Sequence, residues 1–318
     1  MKKFIPFILL CILLSGCTSN FQNKIEENSK SHVKFEVNGQ ESEFDIVSGA
    51  TTGKNNGQVY IGEEKEAKMK WSGRPAVGII QGDFYYDSLY FNGGYLATLS
   101  IVKEPLTDRI IHVHLDERAT WDYFAVAWQN QTKRTSGYAN WQMQNERTNV
   151  SLVTIVNTMT YLEHQVIEKN SVSGSFKTPE GSSTSGSKGF IPLLHQIEPK
   201  LKQKSNQTMI SVTQDVGGGL FASMQVVYDK NSNNIVDLHY DEYFADEKDL
   251  IEDPNLKMYY RQSKYQSPIY NDHVDKTFKE NVDSYRSNSK SRSELIESDS
   301  FGEWFNPLIK EINNLHQN

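Results

Sequence analysis

Residues 93–117 read GGYLATLSIVKEPLTDRIIHVHLDE and residues 218–242 read GGLFASMQVVYDKNSNNIVDLHYDE, and the two align without a gap at a constant offset of 125. A repeat constrains the fold more than composition can, because whatever the first copy forms the second must form too. Gly93-Gly94 matches Gly218-Gly219, Ala97 matches Ala222, His114 matches His239, and Asp116-Glu117 matches Asp241-Glu242. Each copy opens on two glycines, continues as a β-branched and aromatic strand, crosses a polar turn and returns as a second strand. In the return strands Ile111, Val113 and Leu115 alternate with His112, His114 and Asp116; Val236, Leu238 and Tyr240 alternate with Asp237, His239 and Asp241. A period of two predicts an antiparallel hairpin with one core face and one polar face.

The copies also end alike. Phe190-Ile191-Pro192-Leu193-Leu194 with Ile197 parallels Phe305-Asn306-Pro307-Leu308-Ile309 with Ile312. Proline here belongs in the first turn of a short amphipathic helix, where its missing N–H has no partner to lose. Between hairpin and ending, Leu152, Ile155, Val156, Met159, Leu162 and Val166 recur at helical spacing, with a weaker version in Val274, Phe278 and Val282. The expected fold is α+β: two tandem related domains, 79–201 and 205–318, each an antiparallel β-hairpin or sheet with a connecting helix and a short C-terminal helix. A β segment, 35–78, precedes them. Residues 33–37 alternate as a strand, and Asn38-Gly39 is a turn signal.

The N-terminus carries a different kind of message. Lys2 and Lys3 give a positive start, and Phe4 to Leu14 form an apolar run of eleven residues. A permanent membrane helix needs about 20 residues, so the run suits a signal peptide, residues 1–16. It ends in Leu14-Ser15-Gly16-Cys17, which resembles the lipobox of bacterial lipoproteins. That resemblance implies a diacylglyceryl group on Cys17, cleavage just before it, and a body tethered to the outer face of the cell membrane. Two acyl chains suffice for stable anchoring, at about 0.8 kcal/mol per buried CH₂. Cys11 and Cys17 are the only cysteines, so cleavage and lipidation would leave no free thiol for a disulfide, a thiolate metal site or a cysteine nucleophile. Residues 17–34 are polar and read as a disordered tether. Without residues 1–16 the chain has 31 basic and 40 acidic residues, a net charge of −9. That balance argues against nucleic acid, which requires basic stripes, and repels the body from an anionic membrane surface.

The repeat architecture, covering about residues 80–318, resembles the FMN-binding repeat lipoproteins of Gram-positive bacteria. That group includes sex-pheromone precursors and extracellular electron-transfer flavoproteins. The resemblance implies a loop of the form Asp-x-x-Ser/Thr-Gly-Ala-Thr in each repeat. A flavin transferase joins the phosphate of FMN to the hydroxyl of its last threonine. Asp45-Ile46-Val47-Ser48-Gly49-Ala50-Thr51 fits every position, though it precedes both repeats instead of closing one. Gly49 and Ala50 permit close approach of a phosphate, Ser48 with nearby N–H groups can hold its oxygens, and Thr51 offers the acceptor. At the family's own places only remnants stand. Asn170 to Phe176 keeps Ser-Gly but ends on phenylalanine; a second register ends at Thr184, the reserve acceptor. Asp283 to Ser289 has no Gly-Ala.

Other chemistry is thinner. His112, His114 and Asp116 share a strand face and could bind a metal, but a solvated sheet face is the commoner outcome, and Asp237 replaces one histidine in the repeat. Trp121, Trp128 and Trp141 with Tyr123, Phe124 and Tyr138 form an aromatic insert that could stack on a flavin, face a partner or fill a core. No Gly-x-Ser-x-Gly, His-Glu-x-x-His, phosphate-binding loop or Rossmann fingerprint occurs. The chain is therefore at most a flavin-carrying electron-transfer protein, with a redox partner. Alternatively it is a non-catalytic binding or structural lipoprotein with degenerate repeats. Leu9 to Gly16 also resembles the apolar octapeptides released as pheromones from this family.

Overall fold

Both repeat segments form hairpins where the alternation places them, and the two hairpins lie in one sheet. The computed structural model describes residues 31–37, 40–46 and 58–317. A two-stranded hairpin comes first, β1 (Ser31–Val37) with β2 (Gln40–Ile46). β1 starts ahead of the expected boundary at residue 35, and the turn signal Asn38-Gly39 lies outside the described residues. Next is a short helix, α1 (Gly62–Lys68). The main sheet is built from β3 (Gly78–Phe91), β4 (Tyr95–Lys103), β5 (Ile110–Arg118), β6 (Gln207–Gly217), β7 (Leu220–Asp229) and β8 (Ile235–Phe244). It is antiparallel throughout, in the order β5-β4-β3-β6-β7-β8. The chain is thus a mixed α/β body around one six-stranded antiparallel sheet, to which each repeat contributes three strands.

The repeat is visible in the hydrogen-bond register. Tyr90 pairs with Leu96 and Leu96 with Arg118; 125 residues on, Asp215 pairs with Phe221 and Phe221 with Tyr243. Even the irregularity recurs, after Val102 in one half and after Val227 in the other. Asp83 pairs with Thr208, its own counterpart, so a pseudo-twofold axis passes between β3 and β6 at that point. The glycine pairs mark the tight β3–β4 and β6–β7 links. Gly93, Gly94, Gly218 and Gly219 all have positive φ, and a Cβ on Gly219 would sit 2.3 Å from the Leu250 carbonyl oxygen.

Each half places helices on one face of the sheet. In the first, α2 (Tyr138–Met143) and α3 (Thr148–Ser151) lead to α4 (Ile155–Lys169), and α5 (Ile191–Leu201) closes the unit. Thr154 and Asn157 form a capping box at the start of α4, and Asn170 ends it in a left-handed conformation. Val156, Met159, Leu162 and Val166 of α4, with Leu193, Leu194 and Ile197 of α5, bury Leu99, Ile101, Val113 and Leu115. In the second half, α6 (Pro268–His273), α7 (Phe278–Ser289) and α8 (Phe305–Gln317) follow the sheet. Phe278, Val282, Phe305, Leu308 and Ile312 cover Met224, Val226, Leu238 and Tyr240. Every helix expected from apolar spacing forms, although Leu152 ends α3 in a left-handed conformation ahead of α4, and Val274 lies outside α7 and is exposed.

Two devices complete the body. Edge strand β5 is closed off by a buried ion pair: Arg134 binds both carboxylate oxygens of Glu163, at 2.6 and 3.2 Å. Glu163 accepts the N–H of Leu115, and Arg134 donates to the carbonyl of Leu115, so side chains satisfy the edge where a further strand would pair. The sheet is also curled, its two edges joined through residues 133–135 and 263–264. Lys133 N–H donates to the Glu117 carbonyl, Ser263 N–H to Thr135, and Lys264 N–H to Glu242, an unbroken path of backbone bonds from β5 to β8. Residues 58–75 lie over this seam as a strap. Asn157 donates to the Lys70 carbonyl and Arg134 to that of Gly73; from the other half, Arg261 donates to Met69 and Tyr260 to Glu66.

Candidate functional site

The register fixes which side chains share the face opposite the helices. From the first half come Tyr86, Ser100 and His114 in one row, Ser88, Thr98 and Asp116 in the next, and Tyr90, Leu96 and Arg118 in a third. The second half contributes Ser211, Gln225 and His239, then Thr213, Ser223 and Asp241. In a flat sheet β5 and β8 would stand about 24 Å apart, five spacings of about 4.8 Å. Here His239 on β8 helps to lower the pKa of His114 on β5, and Asp237 on β8 contributes to raising that of Tyr86 on β3. The curl therefore turns this face into a concave surface.

Its floor is polar, and the two histidines on β5 are uncharged. Burial, then the Arg134 cation, push His112 down to about 4; the same causes lower His114, with His112 and His239 adding to the effect. Both rings are half-buried and stay neutral near pH 7. Burial raises Asp116 to about 6, against backbone N–H bonds that favour its charge. The expectation of a solvated face fails for Asp116, which is buried. Among the described residues no group of histidines and carboxylates is arranged to hold a metal ion. At the rim, Tyr86 and Tyr90 are exposed.

Behind the acidic rows each half carries the same buried arrangement. Asp116 accepts the N–H groups of Glu117 and Arg134 at 2.7 and 3.1 Å; Asp241 accepts those of Glu242 and Tyr265 at 2.8 and 2.9 Å. Glu117 holds Lys133 at 2.5 Å and Glu242 holds Lys264 at 2.6 Å. The Lys133 ammonium lies 4.5, 5.2 and 4.8 Å from the ring centres of Tyr95, Tyr123 and Tyr138. Lys264 lies 5.9 and 5.8 Å from Tyr270 and Phe278. Ser136 and Ser267, three residues past each lysine, are fully buried. Sequence reasoning found the Asp-Glu pairs and missed their lysines. The signal was there, as Lys-x-x-Ser in both copies, but the second copy's longer loop shifts it out of the constant offset.

The flavin-attachment candidates separate. Cys17, Ser48, Gly49, Ala50 and Thr51 lie outside the described residues; Asp45 is in β2, paired with His32. Phe176, where unit one would need a hydroxyl, lies under the Lys169 ammonium, 4.5 Å from ring centre to Nζ. In unit two, Asp283 to Ser289 is not a loop but part of α7, and Ser289 is buried. Those two remnants do not fit a phosphate-holding loop. Thr184 differs: it is exposed, at the start of the helical run that continues through a π-helical turn (Gly186–Phe190) into α5. Within the aromatic insert Tyr123, Trp128 and Tyr138 are buried, whereas Trp121 and Phe124 face solvent. Comparison with protein-family models, with curated proteins and with solved structures gave no match.

Proposed function

We propose that the chain is a lipoprotein held to the extracytoplasmic face of a cell membrane through a lipid on Cys17, and that its body is a non-catalytic binding module. We read that body as two tandem related units. The observation that carries the binding role is the concave face to which both halves bring matching rows. Its centre, His112, His114, Ser100, Gln225 and His239, offers hydrogen-bonding groups, with the His112 and His114 rings neutral near pH 7, and Tyr86 and Tyr90 offer ring faces at the rim. Such a surface suits an uncharged, hydroxyl-rich ligand, a neutral oligosaccharide, better than an ion. The test follows the ring protons of the eight histidines by NMR during titration with neutral oligosaccharides. Shifts confined to His112, His114 and His239, and lost in Tyr86→Ala, are expected; uniform or absent shifts refute the reading. Replacing Cys17 with Ala is expected to release the protein to the medium or leave an uncleaved precursor.

A second reading keeps covalent FMN, and the exposed Thr184 hydroxyl favours it alongside the complete motif ending at Thr51. The chain would then relay electrons to a redox partner after loading by a flavin transferase. Intact-mass measurement after coexpression with an active transferase decides. One FMN adduct lost in Thr51→Ala or in Thr184→Ala identifies the acceptor, and no adduct removes this reading. Release of the Leu9–Gly16 octapeptide as a pheromone is compatible with both.

A further inference from the structure

Three large apolar side chains stand out from the body within six residues: Trp121, Phe124 and Val126, 75%, 77% and 76% exposed. They belong to the loop after β5, which is held on its inner side by the buried Tyr123 and Trp128 and by Phe124 against Trp141 of α2, 5.9 Å between ring centres. More exposed apolar residues gather by the same pair of short helices. Tyr60 N–H donates to Asn149 of α3 at 2.9 Å, and Lys65 reaches Asn145 and Asn149. Val59 and Ile61, either side of Tyr60, and Val150, next to Asn149, are all exposed. Residues 141–149 thus link the Trp121 loop, through Phe124 on Trp141, to the place where the strap enters the body, at Asn145 and Asn149.

We infer that this patch, led by Trp121, Phe124 and Val126, docks the body against the lipid surface to which Cys17 anchors it. The inference rests on the Cys17 reading, and chain length argues for this occupant. Residues 18–30 and 47–57 are the only lengths of chain between anchor and strap besides the β1–β2 hairpin, whose first and last residues, Ser31 and Ile46, are paired. A chain of that combined length, 24 residues, reaches at most about 80 Å when fully extended. A folded body of this size is about 45 Å across, with a radius of gyration near 18 Å. The tether thus keeps the body close to the membrane, and the strap's entry is the point of the body tied most directly to it. At the millimolar effective concentration such a tether creates, a few interfacial side chains suffice. Tryptophan and phenylalanine are suited to the headgroup boundary. A net charge of −9 disfavours binding through anionic headgroups, which leaves apolar insertion as the attractive contact.

The test uses the mature chain, residues 17–318, in which Cys17 is the sole cysteine. Its thiol is coupled to a maleimide lipid in phosphatidylcholine vesicles, so anchoring is imposed by chemistry and does not depend on lipidation in the cell. Of the five tryptophans only Trp121 is exposed. Acyl-chain-brominated lipid is expected to quench one tryptophan's share of the emission. The Phe124→Asp/Val126→Asp pair, which keeps Trp121 and alters only exposed positions, is expected to lose that quenching with unchanged circular dichroism. Quenching should persist at high salt. No quenching in the coupled wild-type chain, or quenching equal in the Asp pair, overturns the inference. So does protection of Trp121 by soluble cell-wall glycan or by a second copy of the chain in place of lipid. The Cys17→Ala fractionation is a separate measurement, so either idea can fail alone.

Discussion

The ammonium of Lys133 is buried, and so is the carboxylate of Glu117 that holds it. Removing one partner leaves the other charge without compensation in a medium that solvates it poorly, which costs about 3–5 kcal/mol. Glu117→Gln is therefore expected to lower the urea midpoint strongly, while Glu117→Gln with Lys133→Met recovers much of the loss. A double mutant no better than the single one refutes that account. The histidines give a pH dependence whose sign can be worked out. In the unfolded chain His112 and His114 take up protons below about pH 6.5. In the folded chain His112 does so only near pH 4, and His114 is lowered in the same direction. Between pH 6 and 4 the unfolded state thus binds two more protons at these rings. Asp116, raised to about 6, works the other way and binds one more in the folded state. The net excess of one proton makes stability fall with falling pH by at most about 1.4 kcal/mol per unit, less in proportion to the solvent both rings still touch. Denaturation midpoints measured from pH 6.5 to 4.5 should show this slope, and His112→Asn should flatten it. A steeper slope in His112→Asn contradicts the assignment.

At the scale of elements, β5 is an edge strand met by residues 131–133 only at its end, and at Leu115 the Arg134–Glu163 pair takes the place of a neighbour. Glu163→Ala leaves the Leu115 N–H and the Arg134 guanidinium without their acceptor. The expected loss is about 3–5 kcal/mol, with hydrogen exchange at the Leu115 amide accelerated far more than at Leu99 on β4. Equal acceleration at both would mean that the pair stabilises the body without guarding the edge. Much of this level was legible in the sequence. The strict alternation at 111–116 and 236–241 gave the return strands, and the spacing of Val156, Met159, Leu162 and Val166 gave α4. What stayed hidden depends on long-range contact. Nothing local to β3 or β6 says that they pair with each other. Nothing near Arg134 says that it will reach a glutamate on α4. Lys133 and Lys264 read as solvated surface cations until the aromatic rings around them are in place.

For the molecule as a whole, the β3–β6 pairing and the strap give the two cores a common fate. Neither half can leave the sheet without exposing a strand edge and unbinding residues 58–75. Urea unfolding is expected to show one transition, coincident by near-UV and far-UV circular dichroism. Two separated transitions would mean that the halves fold on their own. If the chain is held at Cys17 as proposed, the strap has a further consequence. Any pull between membrane and body reaches residues 58–75 before it reaches the sheet. Within the strap, bonds loaded from one end give way in turn, Tyr60 to Asn149 first, then the contacts of Lys65, Glu66 and Met69, with Gly73 to Arg134 last. The strap is in this sense a mechanical fuse: moderate force peels a surface segment that can rebind, and the seam between Thr135 and Ser263 comes under load only after it has gone.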